Sequence, residues 1–147
     1  MNTFTYRILL NEEPEGGYTV TVPALPGCIT YGENMQTALE MAKEAIEGYI
    51  EVLREEGNPV PDDSKTFEYS LTVAAWKMGN LASYTPKELI KILERKGFQL
   101  IRIKGSHHYF KHPLNKKIAV VPMHNKDLPK GTFFSILKQA GIDKKDL

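Results

Sequence analysis

Eleven consecutive residues, Arg102-Ile103-Lys104-Gly105-Ser106-His107-His108-Tyr109-Phe110-Lys111-His112, gather three imidazoles, a serine hydroxyl and three cations. Imidazole has an ordinary pKa of about 6.5, so it can take or give a proton near neutral pH. Cations beside it favour its unprotonated form, which suits a general base. The same cations would stabilise charge developing on a phosphate. RNA brings its own nucleophile, the 2′-hydroxyl, so one base and a few cations can cleave it without a metal.

Successive side chains on a strand point to opposite faces. An extended 107–112 therefore sets His107, Tyr109 and Lys111 on one face and His108, Phe110 and His112 on the other. His108 and His112 would stand about 13 Å apart at ~3.3 Å per residue, too far to share a metal whose ligands sit ~2 Å from it. A metal site would need a distant ligand such as His124, and neither metal nor other cofactor is expected.

Charge sets this segment in context. Residues 1–80 carry 5 Lys+Arg against 13 Asp+Glu, a net of −8, and residues 81–147 carry 14 against 5, a net of +9. The total of +1 hides the split. A basic segment that selects polyanions is joined to an acidic one that could mimic or mask them. All four histidines lie in the basic half. The lone Cys28 excludes an internal disulfide and reads as a small buried hydrophobe in a cytoplasmic protein. No apolar run approaches the ~20 residues of a membrane span, and no secretory signal opens the chain.

The elements that must position these residues form two units. In the first, residues 4–10 and 18–22 alternate apolar and polar about a Glu15-Gly16-Gly17 turn, predicting a hairpin. A short strand at Cys28–Tyr31 follows. Asn34 then caps a helix whose apolar stripe runs from Met35 through Ala42 and Tyr49 to Leu53. Glu40, Glu44, Glu47, Glu51 and Glu55 fall outside that stripe and read as a solvated face. Residues 66–73 alternate again and predict a fourth strand. The order is β-β-β-α-β. Residues 77–84 read as a linker between units at 1–76 and 85–147.

The second unit opens on Thr85-Pro86-Lys87-Glu88, a capping box with proline at the first helical position. Strands follow at 98–104, 107–112 and 117–121, then a helix near 131–140 ended by Gly141. The order is α-β-β-β-α, so the fold class is α+β in two small domains.

The first unit resembles the HicB antitoxin domain. The matching stretches are Gly17–Cys28, Thr30-Tyr31-Gly32, Ala38-Leu39 through Ala45-Ile46 and Tyr49, then Gly57 and Pro61. Residues 85–142 resemble the HicA toxin, through Lys87-Glu88-Leu89 to Gly97-Phe98, Gly105-Ser106-His107-His108, Val121-Pro122-Met123-His124 and Gly131-Thr132 with Ile136–Ile142. The resemblance implies a partial RNase-H-like fold without catalytic carboxylates, followed by a fold like that of double-stranded-RNA-binding domains. It implies messenger-RNA cleavage, with His108, in a Gly-Ser-x-His pattern, as the catalytic histidine.

Gly105, Ser106, His107, Arg102, Lys104, Lys111 and His124 are the supporting or RNA-binding residues expected beside it. The expected partners are RNA, the chain's own antitoxin domain within one chain or between two, and further copies of the chain. Toxin and antitoxin are normally separate chains, so the fusion departs from the family pattern. Many HicB proteins also carry a C-terminal DNA-binding module, for which no residues remain, and this counts against operator binding. The competing reading is a non-catalytic RNA-binding regulatory protein.

Overall fold

Gly16 and Gly17 both hold positive φ, 100° and 79°, and reverse the chain after Glu13. β1 (Leu9–Glu12) thereby pairs antiparallel with β2 (Tyr18–Thr21), Leu10 facing Val20. β2 pairs in turn with β3 (Ile29–Gly32), giving a sheet in the order β1-β2-β3. The coordinates are a computed structural model that describes residues 3–73, 84–123 and 126–147. The first strand was expected from residue 4, but pairing starts at Leu9. Continuing the register would bring Arg7 opposite Pro23, which has no N–H to offer.

α1 (Met35–Glu55) starts where expected, with Asn34 Oδ1 accepting the Thr37 N–H at 2.9 Å. Ala38, Ala42, Ala45, Tyr49, Val52 and Leu53 are its buried apolar positions. In the basic half, α2 (Pro86–Arg95) carries the expected capping box: Thr85 and Glu88 each accept the other's backbone N–H. β4 (Gln99–Lys104), β5 (His107–Lys111) and β6 (Ile118–Pro122) form a second antiparallel sheet in that order. α3 (Lys130–Ala140) ends at Gly141, whose φ of 77° is the left-handed stop expected there. The chain is thus a mixed α/β protein with two three-stranded antiparallel sheets and three α-helices among the described residues.

One expected strand is corrected. Residues 66–73 form no strand, and among the described residues nothing pairs with the 67–73 backbone. Alternation gives a segment the potential to be a strand, but a ladder also needs a free edge beside it. Arg7 N–H bonds Asp63 Oδ2 at 2.8 Å and holds the preceding turn, and the chain then leaves into solvent. The expected linker lies outside the described residues except for Tyr84. Tyr84 bridges Leu128 and stacks on Phe133 with 4.0 Å between ring centroids.

The two halves share their cores. Ile29 of β3 joins Leu89, Leu93, Phe110, Phe133 and Ile136 of the basic half. Tyr109, Ile118 and Val120 of the basic half join Val22, Leu25, Tyr49 and Val52 of the acidic half. The backbone joins as well, with Val120 N–H donating to Gly27 O at 3.1 Å. No helix among the described residues is long and apolar enough to cross a membrane.

Candidate nucleic-acid interface and its acidic cover

The second sheet has one face on α2 and α3, through Phe110 and Val121. The side chains that alternate with these, on the other face, meet α1. The bulge between Leu100 and Arg102 shifts the β4 register, so that Arg102 opposes Tyr109 and Lys104 opposes His107. Arg102, Lys104, His107, Tyr109 and Lys111 thus stand on one surface, and α1 or the residue capping its end meets each of them.

Arg102 Nη1 donates to Glu51 Oε2 at 2.9 Å, and its Nη2 pairs with Glu55. Lys104 Nζ donates to the other Glu51 oxygen at 2.5 Å. Lys111 pairs with Glu56, just past the end of α1. Ser106 gives Glu44 two hydrogen bonds, from Oγ at 3.1 Å and from its backbone N–H at 3.3 Å. The Glu51 carboxyl is held below its ordinary pKa, first by the Lys104 hydrogen bond and then by the Lys104 and Arg102 charges.

His107 is completely buried. Its Nε2 lies 2.6 Å from Thr30 Oγ1 and its Nδ1 3.3 Å from Glu44 Oε2. The Nδ1 contact has ion-pair distance without hydrogen-bond alignment. Burial pushes the imidazole pKa down, and the Glu44 carboxylate opposes that only in part. Beside it, Tyr109 Oη donates to Ala45 O at 3.0 Å. The ring fits only because position 48 has no side chain: a Cβ on Gly48 would sit 2.3 Å from Tyr109 Oη.

The expected alternation of β5 holds: His107, Tyr109 and Lys111 all meet residues of α1 or its cap. His108 lies on the other face with Phe110, half-buried, opposite Ile103 and Val121. The cations therefore share a face with His107 and not with His108. His112 packs edge-on against Phe98, and its Nδ1 accepts the N–H groups of Leu114 and Asn115. It shapes the turn between β5 and β6. Gly105 turns β4 into β5 with φ of 52°, and a Cβ there would strike Glu44 Oε1. His124 lies outside the described residues.

One expectation is overturned. The glutamates of α1 are not all a solvated face: Glu44, Glu51 and Glu55 pair with residues of the basic sheet, Glu55 with its side chain still 66% exposed, while Glu40 meets Gln36 and Glu47 meets Lys43 on α1 itself. Sequence reasoning also missed Thr30, Gly48 and Glu56. The available signal was the run 44, 48, 51, 55, in which three carboxylates and a glycine recur at helical spacing on one stripe.

Comparison with known proteins agrees with this division. The family described as HicA toxin of bacterial toxin-antitoxin matches residues 86–142. The family described as HicB-like antitoxin of bacterial toxin-antitoxin system matches residues 6–81. A UPF0150 protein of Thermoplasma acidophilum is 42% identical over 59 residues, which are 40% of this chain and 86% of the relative. A UPF0150 protein of Synechocystis is 42% identical over 60 residues, 41% of this chain and 76% of the relative. The Escherichia coli antitoxin HicB is 27% identical over 113 residues, 70% of this chain and 82% of the relative. An acidic helix laid on a basic sheet, with these matches on either side, defines a toxin–antitoxin protein carried on one chain. The chain belongs to the HicB-like antitoxin family and bears a HicA toxin domain after it.

Proposed function

We propose that the basic half is a metal-independent RNA-cleaving toxin and that α1 keeps it latent by occupying its phosphate-binding surface. The observation that carries this is the pairing of Arg102, Lys104, Ser106, His107 and Lys111 with the carboxylates of Glu44, Glu51, Glu55 and Glu56. Carboxylate and phosphate oxygens ask for the same donors, so helix and RNA compete for one surface. These pairs join the acidic and basic halves, which supports a cover that acts within one chain. The α-β-β-β-α order supports a fold like that of double-stranded-RNA-binding domains. The antiparallel sheet with its single helix supports reading the acidic half as a partial RNase-H-like unit.

In this reading an imidazole takes the 2′-hydroxyl proton, the oxygen attacks the adjacent phosphorus, and the bond to the 5′-oxygen breaks. The cations stabilise the charge carried by the phosphorus oxygens, and the departing 5′-oxygen takes a proton from solvent. The base is assigned to His108, which fits the Gly-Ser-x-His pattern. His107 is the anchor of the cover. The shared face of His107 with the three cations favours a second assignment, in which His107 is itself the base and is freed only when α1 leaves.

One series separates these. Glu44, Glu51, Glu55 and Glu56 are changed together to Gln in the full chain, and RNA cleavage is followed at low salt. The expected result is cleavage well above that of the unchanged chain, lost on adding His108→Ala and reduced less by His107→Ala. The reverse ranking moves the base to His107. No cleavage by any variant, with RNA still bound, turns the reading to a non-catalytic RNA-binding protein.

A further inference from the structure

We propose that the β1–β2 hairpin is a specificity lock, which accepts a toxin half only where its last helix opens with glycine followed by a hydroxyl residue. Three buried polar side chains, drawn from both halves, make the lock. They are Glu13, just past β1, Thr19 of β2 and Thr132 in the first turn of α3. Their exposures are 8%, 1% and 0%. The seam under α1 uses none of them. α3 lies on the opposite face of the second sheet from α1, so the hairpin grips the basic half from its other side.

The hydrogen bonds run in one direction. Thr19 Oγ1 lies 2.5 Å from Glu13 Oε1 and 2.5 Å from Thr132 Oγ1. An ionised carboxylate only accepts, and a hydroxyl has a single proton. Thr19 gives its proton to Glu13, so Thr132 donates to Thr19. The relay therefore passes from the toxin half to the antitoxin half. Among the described residues no cation pairs with Glu13. A buried charge needs compensation. What faces this one is the start of α3, where the cap residue is Pro129 and no side chain caps the helix.

Gly131 is what admits the carboxylate. A Cβ at this position would overlap both carboxylate oxygens of Glu13. Gly131 is helical and its φ is not positive, so its backbone does not call for glycine. Alanine is the better helix former, and the glycine here serves the close approach. Glu13 has little room to retreat. Its N–H donates to Gly17 O and its carbonyl accepts the Gly16 N–H, each at 2.9 Å. Specificity needs an attraction to the right partner and a repulsion against the wrong one. The Thr132 hydroxyl supplies the first, and the carboxylate set against position 131 supplies the second. The lock rests on the pairing of the two halves and not on RNA cleavage.

The test is chemical denaturation of the full chain. The halves share their cores, so a failing lock reads as lost stability. Gly131→Ala should shift the folding equilibrium about tenfold or more towards the unfolded chain. In a Glu13→Ala chain the same change should be neutral or stabilising, because the clash is gone and the helix propensity remains. Glu13→Asp keeps the charge and draws it back by one carbon, and it should show the same reversal. Thr132→Val should cost stability in the parent and much less in a Thr19→Val chain. A Gly131→Ala chain as stable as the parent overturns the proposal. So does an equal loss with and without the Glu13 side chain, which would put the clash elsewhere, or a Thr132→Val loss unchanged by Thr19→Val. If Gly131→Ala alone does not fold, its pairing with Glu13→Ala or Glu13→Asp decides: a folded double variant supports the lock, and failure of both overturns it.

Discussion

Replacing Gly48 by alanine sets two opposite expectations against each other. Gly48 lies inside α1, where glycine is normally a weakness, and alanine gains about 1 kcal/mol from helix propensity. In this chain the added methyl would lie 2.3 Å from Tyr109 Oη and 2.6 Å from Cζ. Ordinary carbon contacts are at ~3.5 Å or more. Tyr109 cannot swing away freely, because it is wholly buried and bonded to Ala45 O. Overpacking costs about 1–3 kcal/mol, and loss of the tyrosine hydrogen bond about 1 kcal/mol more. Set against the helical gain, the balance is a loss of about 1–3 kcal/mol. For a chain of this size that is roughly 3–10 °C in Tm.

Thermal unfolding of the purified chain measures it directly. Tyr109→Phe removes the nearest clashing atom, so the double variant should fall short of the summed single effects. The same change should raise RNA cleavage by the full chain, because the strained seam is the one that covers the basic face. A Gly48→Ala chain that melts higher than the parent would refute the reasoning. It would show that propensity outweighs the contact and that α1 is not held tightly on β5.

Three further outcomes follow from the same seam. Glu51→Gln and Lys104→Met, measured singly and together by unfolding, should show a coupling of about 0.5–1 kcal/mol, discounted because both side chains are partly exposed. A zero coupling would mean that the pair is ornamental. Thr30→Val leaves His107 Nε2 buried without its partner and should cost about 1–3 kcal/mol; a Tm unchanged from the parent would contradict the contact. Acid should loosen the cover. Burial holds His107 neutral while the unfolded chain takes up a proton near pH 6.5, so stability falls as pH drops below that value. The depressed Glu51 adds a second loss as pH falls further, through its folded pKa. The drop just below pH 6.5 should vanish in His107→Gln, and its persistence there would assign it to another group.

Much of this protein was legible because it depends on near neighbours. Asn34, the Thr85–Glu88 box and Gly141 mark helix ends through bonds spanning three or four residues, and each stands where its residue type requires. Alternation placed β2 and the strands of the second sheet, although β1 pairs only from Leu9, and it separated the faces of β5 correctly. The −8/+9 split is a property of composition and needs no fold to be seen. Alternation also marked 66–73 as strand-like, and there it failed, because the partner edge is a separate requirement that period-two patterning does not carry.

What tertiary structure alone decided is which surface each pattern meets. Helical periodicity locates the polar stripe of α1, but a glutamate facing water and one facing Arg102 have the same spacing. The distinction comes from contacts some fifty residues apart in the chain. For the same reason the intuitive order on β4 is inverted: Ile101 and Ile103 are left 42% and 58% exposed, while Arg102 and Lys104 lie half-buried under carboxylates. His107 could be placed on a face from sequence, but not beneath Thr30 and Glu44. Local geometry sets the direction in which a side chain leaves its element, and only the packing of one element on another sets what it finds there.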